Sequence, residues 1–245
     1  MYFPDSLCCW SWAMEPQWRK LIFQYKEHVN WSYRMGGIIP SWNGYVDNIN
    51  SVTRASQMGP MWLHAEQVSG MPMYATIWNN NPPASSFPSC IAVKCATAQS
   101  LEMGERMLRK LRESCHLNGK DISDKRVILE EAEALALTTS EFDLNKFLND
   151  FKSESGQDYF REDWDETRKR GVTRFPTLFF SMPEIGTIQL SGSQSLHNMK
   201  RALFQLNPKL QAIEPNASVP EYKTYWGSWI EREELEFTSE SIAQV

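Results

Sequence analysis

No run of about 18 consecutive apolar residues occurs anywhere in the 245-residue chain, so no segment reads as a membrane span. Positive charge is also short. Twenty-five Lys and Arg face 30 Asp and Glu, and the formal net charge of −5 argues against nucleic acid or an anionic membrane as a partner. The four histidines are scattered, and the five cysteines (Cys8, Cys9, Cys90, Cys95, Cys115) lack ligand spacing, which excludes a zinc site as a reading. The N-terminus has no basic stretch followed by an apolar core, the pattern of a secretory signal. The expectation is a reducing, cytoplasmic setting, in which five cysteines do not form a disulfide framework.

What the chain has in excess is tryptophan. Ten are present, and Trp10, Trp12, Trp18, Trp31, Trp42, Trp62 and Trp78 crowd the first third. Core packing is one use for them and the lining of an apolar groove is another. A hydrophobic content of 42% is ample for a core.

Met1-Tyr2-Phe3 reads as a short strand ended by Pro4 and Asp5. The run from Cys9 to Tyr25 has helical spacing through Trp10, Met14, Leu21 and Tyr25, and Pro16 inside it predicts a kink. Val29, Trp31, Tyr33 and Met35 alternate with polar residues, a strand pattern. Residues 41–88 are loop-rich, with short helical pieces around 55–68.

Amphipathic helices are then expected over 89–100, 101–115, from Asp121 onward, 141–151 and 157–170, the last stopped by Gly171. The Arg168-Lys169-Arg170 run reads as a solvated face. Thr177 to Phe180 and Ile185 to Leu190 flank a turn and predict a hairpin, followed by a helix over 193–206. Beyond Pro208, the prolines Pro215 and Pro220 and the acidic run Glu231 to Glu236 suggest a peripheral extension with a short terminal helix.

The order of elements is strand, helix, strand, helical block, hairpin, helix. It predicts an α/β protein, a thioredoxin fold with a helical domain inserted in the middle of the chain. The expected divisions are a first half at 1–52, the insert at 53–157, a second half at 158–212 and the extension at 213–245.

Cys8 stands where the extended start turns into a helix. The unpaired N–H groups and the dipole of a helix N-terminus stabilise an anion, so Cys8 is expected to have a lowered pKa and to act as a nucleophile. By itself, the Cys8–Cys9 pair reads more readily as two small buried residues.

Three motifs, in order, bear on this. Asp5-Ser6-Leu7-Cys8-Cys9-Trp10-Ser11-Trp12-Ala13-Met14-Glu15-Pro16 resembles the D-P-x-C-x-W-C-W-G-x-E-P opening of the DsbA-like branch of the thioredoxin superfamily. Gly171-Val172-Thr173-Arg174-Phe175-Pro176-Thr177 is similar to that branch's G-V-x-x-x-P-T. The stretch from Asn81 to Val93, with Asp121-Ile122-Ser123-Asp124, resembles its cytosolic members.

The resemblance implies a thiol–disulfide oxidoreductase or isomerase with Cys8 as nucleophile. It also implies a cis proline at Pro176 facing Cys8, and a substrate surface drawn from Trp10, Trp12, Phe175, Pro176 and Thr177. A cis turn there would present the Phe175 backbone as an edge on which a peptide or glutathione could pair as an added strand.

One departure matters most. The branch's second cysteine falls on Ser11, so no sulfur stands in place to release a mixed disulfide. Cys9 is a poor substitute, because adjacent cysteines pair only with a distorted peptide bond. The chemistry expected is monothiol, with glutathione or another outside thiol as co-substrate and no tightly bound cofactor or metal. The partners expected are thiol- or disulfide-bearing proteins or peptides.

Two alternatives stay open. The kappa-class glutathione transferases and hydroxychromene-carboxylate isomerases are similar in the same stretch, and there Cys8 or Ser11 would hold a glutathione thiolate. A non-catalytic adaptor that binds another protein is the other. The histidines add little: His28 and His116 are expected to cap helix ends, and His64 is a candidate neighbour of Cys8.

Overall fold

A computed structural model describes residues 1–212 and 218–239. Two residues, Tyr2–Phe3, make β1, and both are buried. Its antiparallel neighbour is β2, Thr177–Met182, paired through Tyr2 with Leu178 and Phe3 with Thr177. The turn after Met182 returns the chain as β3, Gly186–Ser191, to complete a three-stranded sheet in the order β1-β2-β3. β2 is buried over its first four residues, while β3 is the exposed edge.

The strand expected over Val29 to Met35 is reduced to a parallel bridge between Tyr2 and Tyr33. β1 is too short to offer a longer ladder. Tyr2 N–H donates to Ser32 O and Arg34 N–H to Tyr2 O, and beyond them Met35 N–H turns to the Asp163 carboxylate. Met35 N–H faces away from β1; the next rung is Gly36 N–H donating to Pro4 O at 2.8 Å, and the ladder stops there because Pro4 has no N–H to give in return.

The single kinked helix expected over 9–25 is two helices. α1 is Cys9–Ala13 and α2 is Glu15–Tyr25, and Met14 joins them. Pro16 is therefore in the first turn of α2, where its missing N–H has no partner to lose. The pieces expected near 55–68 consolidate into α3, Met58–Ser69, closed by Gly70 at φ 72°. A short α4, Ile77–Asn80, follows.

The helical block consists of α5 (Phe87–Thr97), α6 (Leu101–Arg112), α7 (Lys125–Thr138), α8 (Leu144–Lys152) and α9 (Glu154–Lys169). Ser100, Asp124 and Asp143 cap α6, α7 and α8 with side-chain acceptors. A π turn, Glu113–Leu117, prolongs α6. Gly171 adopts φ 65° after α9, and Arg168, Lys169 and Arg170 are exposed. α10, Leu196–Leu206, is capped by Ser195 and packs on α2 and the sheet.

Residues 218–239 of the extension are not peripheral. α11 (Val219–Trp226) and α12 (Glu231–Thr238) fold back, and α12 lies along α2. Tyr222 and Glu233 are fully buried. The acidic run, expected in a peripheral extension, instead sends one carboxylate inward, because Arg19 and Arg109 are there to receive it. Pro215 lies outside the described residues.

Most of the early tryptophans are core. Trp12, Trp62 and Trp78 are inaccessible and Trp18 nearly so, and Trp62 stacks on His116 at 4.2 Å between ring centres. His116 is thus a buried core residue and not a helix cap. Burial and the neighbouring arginines push its pKa down to about 3. His28 is exposed beyond the end of α2.

Candidate functional site

The site begins with Asp5, which is wholly buried just after β1. Its Oδ1 accepts the Leu7 N–H at 2.9 Å, and its Oδ2 accepts the Ile38 N–H at 3.0 Å and the Cys90 thiol at 3.5 Å. Its carbonyl accepts the Cys8 N–H at 3.3 Å. One side chain thereby pins the Cys8 loop to the segment after Tyr33 and to α5.

Cys8 is the N-cap of α1, with extended backbone angles, and its Sγ accepts the Ser11 N–H at 3.4 Å. On its other side the same thiol donates to the Phe175 carbonyl at 3.5 Å. The Phe175–Pro176 peptide bond is cis. The loop that carries it is tied down by Thr177 Oγ1 donating to Arg174 O at 2.6 Å and by Gly192 N–H donating to Pro176 O at 2.7 Å. Gly36 lies so close under the Phe175 ring that a Cβ there would overlap ring carbon atoms.

The expected lowering of the Cys8 pKa is reversed. Burial pushes the thiol up, the Ser11 hydroxyl and amide pull it down, and the Asp5 charge adds to the rise while Arg112 opposes it. Cys8 is only 6% exposed. α1 has five residues, so its dipole is small, and desolvation outweighs it.

Cys9 is buried in the core with its thiol pushed well above the usual range, again by burial. All five cysteines are free and buried. Among the described residues no group of His, Cys, Asp and Glu has the arrangement of a metal site.

Of the residues expected at the site, Cys8, Ser11, Phe175 and Pro176 come together. Trp10 is half-buried beside them, edge-on to His64 at 5.7 Å. Trp12 and Thr177 are not on an accessible surface. Trp12 is inaccessible, donates Nε1 to Pro72 O and lies under the Arg109 guanidinium, and Thr177 holds its own loop.

A buried ion pair beneath the site escaped the sequence reading. Arg112, 1% exposed, donates to Glu15 at 2.6 Å and to the Asp5 carbonyl at 3.4 Å. Glu15 belongs to the opening motif, but nothing in the local pattern marks Arg112, which stands on α6 more than 90 residues away.

The loop, the helix start and the facing proline define a thioredoxin-type site. A thioredoxin family model matches residues 1–201, and the chain belongs to that family. Among solved structures, it is similar to one from Nitrosomonas europaea described provisionally as a protein disulfide isomerase. The TM-score is 0.66 at 16% identity, covering 86% of this chain and 95% of that one. The cytosolic disulfide reductase DsbM from Pseudomonas aeruginosa gives a TM-score of 0.59 at 18% identity, over 85% and 92%. At such identities the likeness is one of fold.

Curated relatives carry another name, ClpXP adapter protein SpxH. The Halalkalibacterium halodurans protein is 28% identical over 178 residues, 73% of this chain, and the Bacillus subtilis protein is 27% identical over 227 residues, 90% of it. This chain spans 56% of the length of the first and 72% of the second. Among the described residues no helix is long and apolar enough to cross a membrane.

Proposed function

We propose that the protein carries out DsbA-like thiol–disulfide exchange with a single working thiol, Cys8. The observation that carries this reading is the position of Cys8 Sγ, between the Ser11 amide and the Phe175 carbonyl beside Pro176. A disulfide R–S–S–R′ presented there is attacked by the Cys8 thiolate. The Cys8–S–S–R bond forms, the S–S bond of the substrate breaks, and R′–S⁻ leaves. Ser11 has no sulfur with which to release R, and Cys90 and Cys115 are sealed in the core. A second, external thiolate must therefore attack the mixed disulfide. Glutathione is a fitting co-substrate, and a cytoplasmic location fits a reductive cycle.

Resting Cys8 is buried and its thiol is held protonated, so the reading requires the partner to open the site or to take the proton as it docks. That same observation, with relatives named as ClpXP adapters, favours a second reading, in which the fold serves to bind a protein partner. On either reading the division of the chain at 53–157 and 213–245 stands as a proposal about its units.

Glutathione-dependent reduction of a model disulfide by wild type, Cys8→Ala and Ser11→Cys separates the two. Exchange predicts turnover in wild type, loss in Cys8→Ala, and reduced dependence on glutathione in Ser11→Cys. Inactivity of wild type under all conditions, with partner binding intact in Cys8→Ala, supports the adaptor.

A further inference from the structure

One cavity of the protein lies away from Cys8. It has a volume of about 710 Å³ and lies between α2, α6, the end of α7 and the loop after α11. Volumes of about 300–1,000 Å³ are usual for small-molecule sites. Its last wall, Tyr225 to Ser228, comes from the part of the chain beyond the thioredoxin match, so the cavity is completed by the extension.

The charges in the wall divide into two groups. Arg19, Arg109 and Arg112 are buried and committed to Glu233, Glu113 and Glu15. Arg106 and Lys110 are different. They stand one helical turn apart on α6, and their side chains are 31% and 28% exposed. Arg106 pairs with Glu102, whose own side chain is 62% exposed, and Lys110 reaches Glu131 only at 3.8 Å.

Exposed pairs of that kind contribute little, whereas a bidentate carboxylate on a guanidinium is a charge-assisted contact of the strong class. A ligand carboxylate can therefore displace Glu102 from Arg106. Glu15 and Glu113 of the same wall are held by the buried arginines, and Glu105 is engaged as well, accepting from Trp31 Nε1 at 2.8 Å and from Tyr33 OH at 2.6 Å.

The remaining wall is aromatic. Trp31, Tyr225 and Trp226 line it. Thr139 Oγ1, Trp226 Nε1 and Arg112 Nε have no hydrogen-bond partner among the described residues, but all three atoms are inaccessible and so lie behind the cavity surface, not on it. Gly227 at φ 71° lets the loop approach the guanidinium of Arg106, where an added Cβ would sit 3.2 Å from Nη1.

We propose that this cavity binds a small aromatic carboxylate. The carboxylate lies on Arg106 with Lys110 beside it. The ring packs among Trp31, Tyr225 and Trp226. The site is separate from Cys8 and does not depend on thiol chemistry.

Isothermal titration of the full chain with 4-hydroxybenzoate, 4-hydroxyphenylacetate and indole-3-acetate tests this. Saturable binding of at least one is expected, weakened at least about tenfold by Arg106→Gln and by replacing the carboxylate with its amide. Cys8→Ala is expected to leave binding unchanged. Absence of saturable binding by all three probes overturns the proposal. So does binding indifferent to Arg106→Gln and to the amide, or binding lost in folded Cys8→Ala.

Discussion

Arg109 grips Glu233 with two hydrogen bonds, Nη1 to Oε1 at 3.0 Å and Nη2 to Oε2 at 2.7 Å, and so joins α6 to the last helix of the chain. Arg19 adds a third at 2.6 Å from α2. The acid is inaccessible, so its charge is tolerable only because two guanidiniums meet it.

Glu233→Gln is expected to cost about 3 kcal/mol, the low end of what removing one partner of a buried pair costs, since Arg109 keeps Glu113. Burial raises the Glu233 pKa, but Arg109 and Arg19 outweigh it and hold the carboxyl below its usual value. Its contribution to stability is therefore full above the unfolded-state pKa of about 4.3 and is lost as pH falls through the lower folded value. Chemical denaturation of both proteins at neutral pH and in acid checks this. The stability gap between them is expected to narrow in acid.

Gly36→Ala is expected to displace the Phe175 ring and carry its carbonyl away from Cys8. The stability cost expected is about 1–3 kcal/mol, that of overpacking. The more telling readout is the rate of Cys8 alkylation, which rises if the loop lifts and stays unchanged if the ring merely rotates.

His116 is expected to remain neutral across the range in which an exposed histidine titrates. Its Nδ1 is within 3.1 Å of Arg112 O, its ring is stacked on Trp62, and its pKa is pushed down to about 3. The unfolded chain takes up this proton near pH 6.5 and the folded chain does not, so His116 lowers stability progressively as pH falls from about 6.5 toward 3. Proton NMR of the imidazole checks it: no shift between pH 8 and 5 is expected for this ring.

The parts legible in the sequence are those whose signal is local or carried by a motif. Cys8 at a helix start and Pro176 before a strand each depend on a few neighbours in the chain. The parts that were not legible depend on tertiary partners. Glu233 has the same local pattern as its solvated neighbours, and only Arg19 and Arg109 set it apart. The Cys8 pKa is decided by burial from surrounding elements, which no inspection of a helix start reveals. The strand expected over Val29 to Met35 depended on a partner, and β1 with Pro4 after it offers only a short one.

The central claim is that Cys8 is the one thiol able to exchange. Incubation with oxidised glutathione over a range of pH, followed by peptide-resolved mass spectrometry, tests it most directly. The account predicts a single glutathione adduct, on Cys8, forming faster as pH rises and with a midpoint above that of an unstructured cysteine peptide, and no adduct in folded Cys8→Ala. Adducts spread over Cys9, Cys90, Cys95 or Cys115 in the folded protein, or a Cys8 that stays unmodified at every pH, would contradict it.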